Sequence, residues 1–123
     1  MLIAHDLGTT GNKASLHDNS GRILAAATAG YPTHYAADTT SEQGPLHWWR
    51  AIVAARPEQV DGICVSGQMM GLVLLDAAGV PVRPAMIWSD QRASAQAAEL
   101  ADRFGGAEAY RITGNRIAAP YTL

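Results

Sequence analysis

One cysteine, Cys64, stands in 123 residues, so no disulfide can form within the chain. A small extracellular scaffold held by disulfide staples is thereby excluded. Charge is also sparse: 16% of residues are Asp, Glu, Lys or Arg, and the formal net charge is −2. No basic stripe occurs, which removes the electrostatic footprint of a nucleic-acid binder. Long apolar runs are missing too, none approaching the ~20 residues a membrane-spanning helix needs. No signal-peptide pattern precedes Asp6. His5, His17, His34 and His47 have no metal-ligand spacing. The G-x-G-x-x-G fingerprint is absent, and Gly8-Thr9-Thr10-Gly11-Asn12-Lys13 lacks Walker A spacing. These absences predict a soluble protein of the reducing cytoplasm, bound to neither nucleic acid nor membrane. Cys64, inside an apolar run, is expected to be a buried, inert thiol.

What is present is a globular composition, 48% apolar, in a length that suits one domain burying roughly two-thirds of its unfolded surface. Leu2-Ile3-Ala4 reads as a first strand closed by His5 and Asp6, with a tight turn over Leu7 to Gly11. Lys13 to His17 alternates, Ala14 and Leu16 on one face, as a half-buried strand does. Asp18-Asn19-Ser20-Gly21 is a turn signal, and Arg22 to Thr28 resumes extended, which predicts a hairpin over residues 12–28. Tyr31 to Gly44 is polar and aperiodic and reads as a surface loop. Pro45 suits a first helical position, and Trp48/Ile52 and Trp49/Val53 pair along a helix that Pro57 ends.

The stretch from Gly62 to Arg92 organises the remainder. An apolar strand at Ile63 to Val65 breaks into Ser66-Gly67-Gln68-Met69-Met70-Gly71. A second apolar run, Leu72 to Leu75, precedes a turn at Asp76 to Gly79, and a third, Ala85 to Trp88, stops at Ser89-Asp90-Gln91-Arg92. Both polar clusters are expected at the ends of buried strands, where α/β folds place ligands. Residues 92–104 form one apolar helical face, with Asp90 as cap and Gly105-Gly106 as stop; a helical turn follows over Ala107 to Ile112. The order βββ-α-β, further strand, then α predicts an antiparallel meander feeding a mixed sheet with flanking helices.

Chemistry concentrates in Asp6 to Gly11. An aspartate ending a first strand suits Mg²⁺, which favours one or two carboxylates with waters and phosphate oxygens. Gly8 allows close backbone approach, Thr9 and Thr10 offer amide and hydroxyl donors, and Lys13 adds positive charge. The same residues also make an ordinary capped hairpin turn. Trp48 and Trp49 read as core and surface of one helix, and Met69 and Met70 also suit gap filling in a core.

Taken together, Asp6-Leu7-Gly8-Thr9-Thr10 with Lys13, Ser41-Glu42-Gln43 before Pro45 and Trp48-Trp49, Ser66 to Gly71, Leu74-Leu75-Asp76, Arg83-Pro84-Ala85, Trp88-Ser89-Asp90 with Arg92, and Ile112-Thr113-Gly114-Asn115 resemble the N-terminal part of an FGGY-family carbohydrate kinase, most of all its xylulose-kinase branch. The resemblance spans nearly the whole chain. It implies an actin-like, ribonuclease-H-like half-domain, mixed in sheet, from a two-domain enzyme that transfers the γ-phosphoryl of MgATP to a sugar hydroxyl. It implies Asp6 at the metal and reacting phosphate, Gly8, Thr9, Thr10 and Lys13 in the phosphate hairpin, and Gln68, Met69, Met70, Trp88 and Asp90 around the sugar. That branch commonly carries histidine where Met70 stands, so another ketose or a polyol is an alternative to D-xylulose. The family's general base, second phosphate loop and adenosine pocket lie further along than residue 123. Residues 1–123 are therefore expected to be an incomplete first domain, inactive alone and completed by the remainder of a kinase or by self-association. A non-catalytic sugar-binding or regulatory remnant is the alternative.

Overall fold

A computed structural model describes residues 1–121 of the chain. The elements run β1 (Leu2–Leu7), β2 (Gly11–His17), β3 (Ile23–Gly30), β4 (His34–Tyr35), β5 (Ser41–Gln43), α1 (Pro45–Ala54), β6 (Gly62–Gly67), β7 (Ala85–Met86), α2 (Ser94–Phe104) and α3 (Gly106–Thr113). They fall into two compact units, one of Met1–Thr33 with Gly44–Gln68, the other of His34–Gln43 with the chain from Met69 onward.

The first unit is a four-stranded sheet in the order β3-β2-β1-β6, antiparallel throughout the meander and parallel between β1 and β6. This is the mixed sheet the alternation predicts. The hairpin turn forms as expected: the Asp18 carboxylate accepts from the Ser20 and Arg22 amides at 2.9 and 3.1 Å. Gly21 takes the left-handed φ of 86° that favours glycine there. Period-two alternation divides the sheet into two faces. Ile3, His5, Asn12 and Ala14 lie on the face that packs against α1, and all four are buried. Asn12 Nδ2 donates 2.9 Å to the Ala51 carbonyl of α1 and lies 3.1 Å from His5 Nδ1. With Nδ2 as the shared donor, His5 accepts through Nδ1, so a histidine buried in a strand is satisfied within the core. β1 continues through Asp6 to Leu7, because both residues keep pairing with Lys13 and Asn12 on one side and with Ser66 and Gly67 on the other.

β6 corrects the expectation of a buried strand. It is the edge of the sheet, and α1 packs over β2 and β3 instead, leaving Ile63 66% and Val65 55% exposed. Cys64, on the opposite face of the same edge strand, is exposed and is not a buried thiol. Pro45 does open α1, with Trp49 exposed and Trp48 half-buried.

The second unit contains the sheet β4-β5-β7, antiparallel at both pairings. The segment read as a surface loop over Tyr31 to Gly44 therefore holds two strands, with Tyr31, Thr40, Ser41 and Gln43 buried. Polar composition concealed it, since the buried polar groups find partners there. Leu72 to Leu75 forms no strand: Leu72 and Leu75 make isolated bridges to Met86 and Pro81, and Val73, Leu74 and Leu75 are exposed. The turn at Asp76 to Gly79 is present, closed by the Gly79 amide on the Asp76 carbonyl at 3.0 Å. Ala85 and Ile87 are buried. α2 starts at Ser94 with Ala93 in the cap position, so Asp90 does not cap it as expected, and the Asp90 carboxylate bonds the Ser41 and Arg92 amides. Gly105, at φ 75°, ends α2 as expected, and the single turn predicted beyond it is a full helix, α3.

Candidate functional site

The β1–β2 turn is built from backbone held on several sides. The Gly8 amide donates 3.0 Å to the Gly11 carbonyl, closing the hairpin. The segment after β3 then grips the turn: the Tyr31 hydroxyl donates to the Gly8 carbonyl, the Thr33 hydroxyl to the Thr9 carbonyl at 3.4 Å, and the Tyr31 amide to the Thr10 carbonyl at 3.4 Å. The Gly8, Thr9, Thr10 and Gly11 carbonyls of the turn thus all accept hydrogen bonds from within the chain. Burial raises the Tyr31 pKa, and the nearby Asp6 charge adds to the rise, keeping that hydroxyl a donor. A Cβ on Gly11 would come within 2.8 Å of the Ala29 carbonyl oxygen, so the β2–β3 crossing requires glycine. A Cβ on Gly8 would meet only the Gly11 oxygen at 3.6 Å, an ordinary contact. No neighbour among the described residues demands Gly8.

Asp6, Lys13 and Ser66 occupy one rung of the sheet face opposite α1: Lys13 pairs with Asp6 across the antiparallel ladder and Ser66 across the parallel one. Asp6, Lys13 and Ser66 are exposed. With Ala4, Ser15, Ala26, Thr28 and Cys64 they line an open concavity of about 420 Å³. The sequence reading named Asp6, Gly8, Thr9, Thr10 and Lys13 and placed Ser66 in a separate polar cluster; it did not bring Ser66 or Tyr31 to the turn, because their places depend on the β1–β6 register and on the path after β3. Among the described residues no group of three or more His, Cys, Asp or Glu side chains could hold a metal ion. Asp6 stands as a single carboxylate, a donor set that suits Mg²⁺ sharing phosphate oxygens and water and does not suit an all-protein cage.

In the second unit the buried centre is Asp90, 2% exposed. Its carboxylate accepts the Ser41 amide at 2.9 Å, the Arg92 amide at 3.1 Å and the Arg92 guanidinium at 2.7 Å. Arg92 also reaches Glu42 at 2.6 Å, and Arg83 donates to the same Glu42 oxygen. Burial alone would raise the Asp90 pKa, but the Arg92 and Ser41 hydrogen bonds outweigh it and hold the carboxyl below its usual range. The Arg92 hydrogen bond does the same for Glu42, and Asp90 with Glu42 raises Arg92. Asp90 is therefore an interior tie between β5 and the segment after β7. Trp88, 45% exposed, precedes it. Met69 and Met70 are 73% and 39% exposed, so neither fills a core gap. Met70 has a left-handed φ of 61°, a conformation that costs a non-glycine residue about 1 kcal/mol or more. Gln68 belongs to the first unit, its amide donating 2.9 Å to the Leu7 carbonyl.

Residues 1–123 match the N-terminal domain of the FGGY family of carbohydrate kinases. The chain belongs to that family. The xylulose kinase of Streptomyces coelicolor is 36% identical over an alignment covering 100% of this chain and 27% of that protein. The structure of a xyloylose kinase from Brucella ovis, 35% identical, superposes with a TM-score of 0.84 and covers 98% of this chain and 27% of its own. The structure of a xylulose kinase from Bifidobacterium adolescentis superposes with a TM-score of 0.87 at 24% identity, covering 98% of this chain and 27% of its own, a likeness of fold. The FGGY chain thus has the actin-like kinase fold and spans about a quarter of the length of the relatives it matches. No helix among the described residues is long and apolar enough to cross a membrane.

Proposed function

We propose that this FGGY chain supplies the Mg²⁺ and phosphate hairpin and part of the sugar pocket of a cytoplasmic, ATP-dependent kinase that phosphorylates a pentulose or a related ketose or polyol. The observation that carries the reading is the rung of Asp6, Lys13 and Ser66 beside a turn whose carbonyls are already bonded within the chain. Phosphoryl transfer depends mostly on positioning and charge neutralisation, which such a rigid turn provides. Asp6 would hold Mg²⁺, which when bound neutralises charge on the phosphate oxygens. Gly8 keeps the backbone open to a phosphate, Thr9 and Thr10 donate to it, and Lys13 adds positive charge.

On the sugar side, Met69, Met70 and Trp88 expose apolar surface of the kind a sugar pocket's flat wall requires, and Gln68 would be a hydroxyl-reading group. Asp90, buried and bonded by Ser41 and Arg92, acts as a positioning residue for Trp88 and not as a direct sugar ligand. In this reading residues 1–123 are the first part of the kinase's first domain, with the general base and adenosine site outside them. The testing experiment is ATP-dependent phosphorylation by the native-length gene product across a panel of ketoses and polyols. Turnover that Asp6→Asn lowers about 10²-fold or more supports the proposal; absence of turnover with every sugar removes it in favour of a sugar-binding remnant.

A further inference from the structure

Ser15 and His17 take no part in the chemistry above. β2 alternates, so Lys13, Ser15 and His17 share the face opposite α1. Ser15 Oγ lies 2.8 Å from His17 Nε2, and His17 Nδ1 lies 3.2 Å from the Gly21 carbonyl oxygen. A carbonyl oxygen only accepts, so Nδ1 carries the proton and donates to Gly21. In the neutral ring Nε2 is then the acceptor, and the Ser15 hydroxyl must be the donor. A hydroxyl, a base within hydrogen-bond reach and a group orienting that base are the elements of an activated nucleophile.

A regular hairpin would not place them so. The β2–β3 register slips between Leu16 and His17: Leu16 pairs with Ala25, whereas His17 pairs with Ile23. Such a bulge re-aims a side chain, and here it accompanies the bond from His17 back to the turn at Gly21. The cross-strand neighbours of Ser15 are the small residues Ala4 and Ala26. These three residues line the 420 Å³ concavity together with Thr28 and Ser66.

We infer that Ser15, with His17 as general base, is an acylatable nucleophile for small activated esters that enter this concavity. Ser15 Oγ attacks the acyl carbon while its proton passes to His17 Nε2. The Oγ–acyl bond forms, the bond to the leaving alkoxide or phenolate breaks, and the leaving group departs with the electron pair. The imidazolium then returns its proton to solvent. The inference stands apart from phosphoryl transfer and survives or fails separately from it.

The test is to treat the purified chain with p-nitrophenyl acetate, follow p-nitrophenolate release and locate the acetyl group by peptide mass spectrometry. The acetyl group is expected on Ser15. Ser15→Ala removes it from that peptide, and His17→Asn slows Ser15 acetylation about 10²-fold, the lower end of general-base contributions. Acetyl found on the Lys13 or N-terminal amine of the unmutated protein, with Ser15 unmodified, overturns the inference without relying on any variant to fold. So does an unchanged Ser15 rate in a His17→Asn protein whose circular dichroism matches the parent.

Discussion

Asp90 shows how a single buried carboxylate organises its surroundings. Charge is costly to remove from water, and the cost is offset here by a guanidinium and two backbone amides on the same two oxygens. Asp90→Ala leaves Arg92 and the Ser41 amide without their acceptor, and stability is expected to fall by about 3 kcal/mol, read as a shift in the urea midpoint. Asp90→Asn, which retains an acceptor oxygen, is expected to cost less. The pH dependence follows from the same bonds. Asp90 and Glu42 have native pKa values below those of the unfolded chain, so the native state binds fewer protons. Their contribution is complete above the unfolded carboxylate range of about pH 4 and is lost as pH falls through the lower native values. Thermal unfolding should thus show a Tm nearly flat between about pH 7 and 5 and falling below about pH 4. The double variant Asp90→Asn, Glu42→Gln should flatten that acid limb; an unchanged limb would assign it to other carboxylates.

At the scale of elements, Gly8 and Gly11 look alike in sequence and differ in the structure. Gly11→Ala pushes a methyl against the Ala29 carbonyl at 2.8 Å, and overpacking of that kind costs about 1–3 kcal/mol. Gly8→Ala has room, and neutral or slightly raised stability is expected. If the turn receives phosphate, Gly8→Ala should nevertheless depress kinase turnover in the native-length protein while Gly11→Ala chiefly lowers its Tm. Equal loss of stability in both variants would remove the distinction. The sequence made the meander legible because Ala14 and Leu16 alternate with Lys13 and Ser15, and because Asp18 to Gly21 carries its turn chemistry locally. It hid β4 and β5, since Ser41 and Gln43 are buried through hydrogen bonding and not through hydrophobicity. It also misjudged β6, because an apolar strand reads the same at a sheet's edge as at its centre. The hairpin half of the candidate site is contiguous and could be read directly. Ser66 and Tyr31 could not, since each reaches the turn through a pairing or path of long range.

For the molecule as a whole, exposed Ile63, Cys64 and Val65 on an edge strand with no charge and no proline form a template for strand pairing. Residues 1–123 in isolation should self-associate on size-exclusion chromatography, and Val65→Lys should raise the monomer fraction; a clean monomer of the parent chain would refute this.

The same chain taken alone is expected to lack phosphoryl-transfer activity, and the engagement of most of its carboxylates supports this. A general base needs a free carboxylate, poised near the working pH, within hydrogen-bond reach of the sugar hydroxyl. Asp18, Asp38 and Asp76 accept hydrogen bonds from their own turns, to Ser20, Thr40 and Ala78 among others. Asp61 pairs with the N-terminal ammonium, Glu108 with Arg111, and Glu42 and Asp90 with Arg92. Every carboxylate whose pKa is displaced moves downward, away from the value a base requires. Asp6 pairs across the sheet with Lys13, and the proposed function assigns it to the metal and phosphate. A coupled ADP-release assay on purified residues 1–123 should therefore remain at background with D-xylulose and related ketoses. Sugar-dependent ADP release that Asp6→Asn abolishes would show that a base is present within these residues.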